Sequence, residues 1–174
     1  MSFSLFDATV PGYIRTLNAI SGVLAKGREY YKEHALDVES IPDERLCGDM
    51  LPFSFQINSI RHHSIEAIDA IKSGQFGIPG AMEKTDYASL EALVKKTVEE
   101  LSALTPDDVN ACEGNDVIFT LGEMKIPFTA TGFLMSFSVP NFHFHATTTY
   151  DILRMKGVPV GKRDYLGALD VKTS

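Results

Sequence analysis

The chain has 174 residues, of which 44% are hydrophobic and 22% charged, an ordinary composition for one folded domain with a buried core. We therefore expect a single domain over residues 1–174. The net charge of −7 disfavours a nucleic-acid partner, because nucleic-acid-binding surfaces are basic. No stretch approaches the ~20 apolar residues of a membrane helix, and no signal-peptide pattern is present, so we expect a cytoplasmic protein with no membrane partner.

Three long segments in the first two thirds of the chain have apolar residues at helical spacing. The first runs from Leu5 to His34 and contains Pro11, which should begin its regular part or kink it, because proline lacks an N–H group. The second runs from Pro52 to Ser73 and is followed by a glycine-rich loop, residues 74–80. The third runs from Tyr87 to Leu104.

The helical rhythm then breaks, and two short apolar runs, Val117–Leu121 and Met124–Phe128, predict a β-hairpin. The fourth helix runs from Thr131 to Lys156, and Gly157 is well placed to end it in the left-handed conformation. The tail, Val158–Ser174, is expected to be irregular. Four long helices with short connections predict an all-α protein, a four-helix bundle with the small hairpin between the third and fourth helices.

The fourth helix carries His143 and His145, which raises the question whether the two form one metal site. Each helical residue advances by about 100°, so the two side chains point roughly 200° apart and do not bind one metal from the same regular helix. Histidine pairs that bind zinc from a helix have i, i+3 or i, i+4 spacing. His145 lies on the apolar face that should point into the bundle, His143 lies at its flank, and Pro140 should kink the helix.

The interior stripe of this helix is unusually polar. Asn141 and Thr149 lie one turn before and one turn after His145, and Thr148 lies three residues beyond it. Buried polar groups cost free energy unless they find partners. The cluster therefore indicates a hydrogen-bonded structural network, a metal site or a lined cavity.

The second helix offers polar groups that could face this stripe. Gln56 and His63 are two turns apart on one flank of its apolar side, where they can point toward the helix of His145. A boundary position is the simpler interpretation of His63. Its neighbour His62 is expected to face solvent.

The C-terminal segment from Asn141 is NFHFHATTTYDILRMKGVPVGKRDYLG, which is close to the pattern PNFxFHxTTxYxILRxxGVxxGKxDFLG, with Tyr165 where the pattern has Phe. The segments SLFDATVPGYIRTL and DMLPFSFQI also resemble segments of the family that this pattern indicates. On these motifs the chain resembles a domain-of-unknown-function family of the DinB/YfiT-like metalloenzyme superfamily, over almost its whole length. The resemblance implies a DinB-like four-helix bundle that is often dimeric, so a homodimer is expected.

The resemblance also implies a metal site of three histidines, one on the second helix and an HxxxH pair on the last. His145 matches the second histidine of that pair, Asn141 stands in place of the first, and Gln56 occupies the corresponding region of the second helix. Amide oxygens are poor substitutes for imidazole on Zn²⁺ or Ni²⁺. These departures predict a degenerate site that would hold a divalent transition metal weakly at best, so no cofactor is assigned.

Two functions of this site remain open. The first is binding of a small molecule in a polar pocket around His145, which Gln56 and Asn141 would surround and which His63, Thr148 and Thr149 would line. The second is a metal-dependent enzyme, a transferase or hydrolase acting on thiol-type or other nucleophilic substrates. A metal-dependent enzyme needs further metal ligands close to His145, and His63 is the candidate for such a ligand. A third hypothesis, a protein that acts through its dimer face, predicts an exposed apolar patch.

Overall fold

The first helix shows why the chain folds as its apolar spacing predicts. The structure, a computed structural model, describes residues 3–80 and 84–172 and is mostly helical. Helix α1 (Leu5–Glu33) begins at a capping box in which Ser4 and Asp7 accept hydrogen bonds from each other's backbone N–H groups. Pro11 lies inside α1 near its beginning.

The second helical segment contains one widened turn. Helix α2 (Phe53–Arg61) passes without a break into a π-helical turn (His62–Glu66) and then into α3 (Ala67–Ser73), which ends at Gly74 with a φ of +76°. The predicted limits of this helix are confirmed. The π-helical turn is not visible in the apolar spacing, and such turns are frequent at functional sites.

The third long helix, α4 (Tyr87–Ser102), lies where the sequence predicts it. Asp86 caps it by accepting a hydrogen bond of 2.7 Å from the Ser89 N–H. A short helix, α5 (Pro106–Asn110), follows with Thr105 as its capping residue.

The sheet has three strands rather than the two of the predicted hairpin. β2 (Asp116–Leu121) and β3 (Met124–Thr129) form the expected antiparallel pair, and β1 (Gln75–Phe76) adds a parallel strand to β2. The segment 74–80 was predicted to be a loop, and this is wrong only for the two residues of β1, since the rest of the segment has no regular structure. The left-handed Gly74 turns the chain so that its carbonyl accepts a hydrogen bond of 2.9 Å from the Ile118 N–H.

The last long segment also contains a π-helical turn. After the short α6 (Ala130–Gly132), the turn spans Phe133–Ser138 and leads into α7 (Val139–Met155). A proline ring excludes the carbonyl four residues earlier, and the wider turn immediately ahead of Pro140 accommodates this ring. Gly157 ends the segment with a φ of +89°, as predicted.

The four long segments pack around one apolar core. Helix α1 lies against α4 and α7, while α2 lies against α7 and α4. The two π-helical turns are joined by the Ser138 hydroxyl, which donates a hydrogen bond of 3.0 Å to the His63 carbonyl. The largest fully buried side chains of the core include Tyr13, Phe53, Tyr87, Phe133 and Phe142.

Helix α1 comes very close to two other helices at Gly27. A Cβ atom added there would lie 2.6 Å from the Tyr87 hydroxyl oxygen and 3.3 Å from a methyl carbon of Leu153. The Tyr87 hydroxyl donates a hydrogen bond of 2.9 Å to the Leu24 carbonyl. Gly27 therefore allows α1, α4 and α7 to meet.

The C-terminal tail is not wholly irregular, which corrects the prediction. Residues Lys162–Leu166 form α8, which packs on α1. Asp164 forms an ion pair of 2.6 Å with Lys26 of α1 and also accepts a hydrogen bond from the Gly161 N–H. Among residues 3–80 and 84–172, no helix combines the length and apolar character required to cross a bilayer.

Candidate ligand-binding site

The centre of the site is a hydrogen bond between the second and last helical segments. Gln56 is 2% exposed, and its Oε1 lies 2.7 Å from Nδ1 of the half-buried His145. Its Nε2 donates to the Leu51 carbonyl at 2.8 Å, which identifies Oε1 as the oxygen that faces the histidine. Because an amide oxygen only accepts, the proton of His145 lies on Nδ1, and Nε2 keeps a free lone pair.

His63 lies beside this histidine, so the two imidazoles form a pair. The ring centroids of His63 and His145 are 5.9 Å apart, and the ring planes differ by 13°. Nδ1 of His63 is fully enclosed and has no hydrogen-bond partner within the described parts of the chain. The predicted proximity of Gln56 and His63 to His145 is therefore seen in the structure.

Both imidazoles are neutral at pH 7. Burial lowers the pKa of His63 to about 3, with smaller contributions from His62 and then His145. Burial, followed by the charge of His62, lowers the pKa of His145 to about 4. Each ring therefore keeps one nitrogen lone pair for hydrogen bonding or ligation.

His62 is buried, and its predicted exposure to solvent is wrong. Its side chain is enclosed because the π-helical turn and the loop after β1 close over it, and the residue is 6% exposed. Nδ1 lies 2.7 Å from the Glu66 carboxylate, and Nε2 lies 2.9 Å from the Gly77 carbonyl. Both ring nitrogens of His62 thus face hydrogen-bond acceptors.

Glu66 supplies the carboxylate that His62 contacts. The hydrogen bond from His62 is the main cause that lowers the pKa of the Glu66 carboxyl, and Arg61 adds to it. The sequence contains one signal for the pair, since His62 and Glu66 stand at i and i+4. The Gly77 contact has no such signal, because it depends on how the chain returns after α3.

The other predicted members of the polar cluster bond to their own helix. Asn141 donates its amide N–H to the Phe137 carbonyl at 2.7 Å. The hydroxyls of Thr148 and Thr149 donate to the carbonyls four residues earlier, at 2.8 and 2.9 Å. Their polarity is thus satisfied locally, and in the described chain no hydrogen bond links Asn141 to His145.

Aromatic side chains surround the imidazole pair. The rings of Phe55 and Phe144 lie edge-on to His145, with centroids 5.9 and 5.2 Å away. Those of Phe76 and Phe137 each lie 5.6 Å from His63. Phe144 is 54% exposed, so the aromatic wall reaches the surface next to His145.

A groove of about 610 Å³ lies on the other side of α7. His143 lines it, with Nδ1 3.4 Å from the Tyr165 hydroxyl, so His143 and His145 lie on different sides of the helix, as their spacing predicts. Of the predicted pocket-lining residues, Thr148 contributes to this groove. The other lining residues are Leu46, Met50, Pro140, Phe144, Thr147 and Asp151.

The residues present do not fit a site made of three histidines. Gln56 already uses both ends of its amide, and Asn141 donates its amide N–H to its own helix. Of the three corresponding positions, only His145 therefore offers a free imidazole nitrogen, and an amide oxygen such as that of Asn141 is a poor ligand for Zn²⁺ or Ni²⁺. Within residues 3–80 and 84–172, no group of three or more His, Cys, Asp or Glu side chains is arranged to hold a metal ion.

The fold is that of DinB proteins. The crystal structure of a DinB family member protein from Shewanella denitrificans matches with a TM-score of 0.80 and 21% identity, over 98% of this chain and 96% of that chain. At this identity the likeness concerns the fold alone. The model of a family described as a domain of unknown function, DUF1993, matches residues 5–166, and the chain belongs to that family. No curated protein matches it.

Proposed function

We propose that this protein is a four-helix bundle of the DinB type whose polar pocket around His145 binds a small molecule at a degenerate metal site. The hydrogen bond of 2.7 Å between Gln56 and His145 carries the proposal. An amide occupies the region where the superfamily pattern has a histidine ligand, and it uses its oxygen to orient the remaining imidazole.

The surroundings of His145 favour a ligand with a flat apolar part. Nε2 of His145 is an acceptor of fixed tautomer, and the rings of Phe55 and Phe144 stand beside it. Binding sites for small molecules commonly combine such apolar walls with a few oriented polar groups. The half-buried position of His145 leaves it within reach of a molecule from solvent.

Metal analysis and a ligand screen test the proposal together. Tag-free wild type, His145→Ala and the control His143→Ala would be analysed for bound metal and then screened by thermal shift against small neutral compounds. We expect no stoichiometric nickel, zinc or iron, and a compound that stabilises wild type and His143→Ala but not His145→Ala. A screen without any compound whose effect depends on His145 would overturn the proposal.

A metal-dependent transferase or hydrolase acting on thiol-type or other nucleophilic substrates is the second candidate. The observation that favours it is the convergence of His63 and His145, two neutral imidazoles with centroids 5.9 Å apart. Stoichiometric metal that is lost in both His63→Ala and His145→Ala, but kept in His143→Ala, would support this candidate over the first.

The homodimer expected from the family resemblance stays a prediction. Sedimentation velocity over a wide concentration range measures it directly. A single species with the mass of one chain at every concentration would contradict it.

A further inference from the structure

The groove of about 610 Å³ beside α7, here termed the α7 groove, combines an apolar lining with one carboxylate. Leu46, Met50, Pro140 and Phe144 supply the apolar surface, and Asp151 supplies the carboxylate. The volume lies within the range of small-molecule sites, about 300–1,000 Å³. Among the described residues that line this groove, none is a lysine or an arginine. The α7 groove therefore has the size of a ligand site and carries an acidic group.

Asp151 is half-buried and has no cation bound to it. It forms no ion pair with any residue of the ranges 3–80 and 84–172. Burial alone raises the pKa of its carboxyl. Burial also raises the pKa of the Asp69 carboxyl in α3, but there the cations Lys72 and Arg61 offset part of the effect. A partly buried charge without a partner costs free energy, and a bound cation recovers some of it.

The end of α7 adds to the negative potential around Asp151. The helix ends at Met155, about one turn beyond this carboxylate, and the C-terminus of a helix carries a partial negative charge. Lys156, the residue after the helix, is already paired with Glu44 at 2.6 Å. Arg154 is exposed and forms no ion pair with the described part of the chain. This end of the α7 groove therefore favours a positively charged ligand group.

The apolar part of the α7 groove lies at a definite distance from its carboxylate. Phe144 and Asp151 are seven residues apart, so they lie on nearly the same face of α7, about 10 Å from each other along its axis. Between them, the Thr147 hydroxyl donates to the Tyr165 oxygen at 3.1 Å, and the Thr148 hydroxyl donates to the Phe144 carbonyl at 2.8 Å. Because both hydroxyl protons are already used, the carboxylate is the main polar contact for a ligand.

We infer that the α7 groove binds a small organic cation, an amine whose ammonium group pairs with Asp151 while its apolar body lies against Phe144. The ring of Phe144 is 54% exposed and can contact such a body without rearrangement of the core. The inference goes beyond the proposed function, because His145 is not among the described residues that line this groove.

Three compounds of matched shape test the inference in the wild-type protein. Phenylbutylamine, phenylbutanol and phenylbutyrate carry a phenyl ring at one end of a butyl chain and an ammonium, a hydroxyl or a carboxylate group at the other. Titrations followed by NMR should show the amine binding about fivefold more tightly than the alcohol, the factor of one ion pair at a partly exposed site, and the carboxylate binding most weakly. Equal binding of amine and alcohol, or no binding of the amine, would overturn the inference.

Two substitutions that remove the same charge locate the cation. Asp151→Asn should bind the amine and the alcohol equally, while the matched control Asp69→Asn should keep the fivefold preference of wild type. Loss of the preference in both variants would reflect a general attraction of cations to a chain of net charge −7, and it would overturn the inference. The comparison of amine and alcohol in wild type needs no variant.

Two further variants separate the apolar contact and the proposed function from the charge. Phe144→Ala should weaken the binding of amine and alcohol by the same factor. His145→Ala should leave the preference for the amine as it is in wild type. A preference that is lost in His145→Ala but kept in Asp151→Asn would assign the amine to the His145 pocket and overturn the inference. The thermal-shift screen, with its dependence on His145, decides the proposed function separately.

Discussion

Gln56 joins three parts of the molecule through one side chain. Its amide oxygen holds His145 of α7, and its amide nitrogen holds the Leu51 carbonyl ahead of α2. Because Gln56 itself is buried, its amide has no water at hand to replace either partner. The residue therefore acts on stability as well as on the tautomer of the imidazole.

Replacing Gln56 by leucine should destabilise the protein by about 1–3 kcal/mol, because the change leaves the His145 Nδ1–H and the Leu51 carbonyl without their partner. Urea unfolding measures the free energy. Gln75→Leu, at an exposed position of β1, is the matched control and should change it by less than about 0.5 kcal/mol. Equal effects of the two substitutions would contradict the role given to Gln56.

His62→Phe should keep the stacking on Phe76, whose centroid is 4.2 Å away, but lose both hydrogen bonds of the ring. We expect a loss of about 1–3 kcal/mol in the free energy of unfolding, since the Gly77 carbonyl is left unpaired. Amide hydrogen exchange at Ile118, which bonds to the Gly74 carbonyl beside this loop, should accelerate. His143→Phe serves as the control, and unchanged exchange in His62→Phe would refute the expectation.

At the scale of single residues, the sequence was informative where helical spacing alone determines the side of the helix on which a side chain lies. It placed Gln56 and His63 toward His145, and it separated His145 from His143. It was wrong about His62, because burial of that ring depends on a π-helical turn and on a loop that returns from α3. Neither feature has a local signature.

At the scale of elements, the meeting of three helices at Gly27 makes a sharp prediction. Gly27→Ala should destabilise the protein by about 1–3 kcal/mol, because the new methyl group would collide with the Tyr87 hydroxyl, despite the higher helix propensity of alanine. Gly22→Ala, in the same helix with open space around it, should instead stabilise by about 0.5–1 kcal/mol. Unfolding midpoints in urea compare the two, and stabilisation by both changes would contradict the packing described.

The limits of the long helices were predictable, but their internal geometry was not. Apolar residues at i, i+3 and i+4 mark where α1, α4 and α7 lie, and capping residues such as Asp86 mark where they begin. A π-helical turn changes the spacing over a few residues, which is too short for a periodic pattern to show. Strand β1, with two residues, is similarly short, and its pairing with β2 is decided by tertiary structure.

For the whole molecule, the buried imidazoles predict how stability depends on pH. The pKa values of His63 and His145 in the folded state, about 3 and about 4, lie below the value of 6.5 for an unperturbed histidine. Below pH 6.5 the two histidines bind protons in the unfolded chain but not in the folded chain. Their contribution to the free energy of unfolding is therefore fully present above this pH and decreases on acidification. The lowered pKa of Glu66 adds a further loss below its ordinary value of 4.5.

Urea unfolding at about pH 7 and about pH 5 measures this effect. The loss should reach up to about 2 kcal/mol for each imidazole, and it should become much smaller in the double variant His63→Phe and His145→Phe. An unfolding midpoint that stays constant across this range would contradict the burial and neutrality of the two rings.

The overall fold followed from the sequence more completely than the site did. Four helical segments and one hairpin account for most of the described chain, and the family resemblance is confirmed by the match to residues 5–166. The short helix α8 was missed because it is held by contacts with α1, such as the ion pair of Asp164 with Lys26. In the site, the sequence could name candidate polar residues but not which hydrogen bonds they make.

The π-helical turn at His62–Glu66 allows the site to change without a change in the packing of the bundle. Such a turn holds one residue more than the α-helical turn it replaces. Loss of a single residue there would let α2 and α3 continue as one regular helix with their outer faces still matched to the neighbours. The imidazoles at its centre would be rearranged. Deletion of one residue in this short stretch is therefore expected to move the site side chains while the bundle keeps its packing.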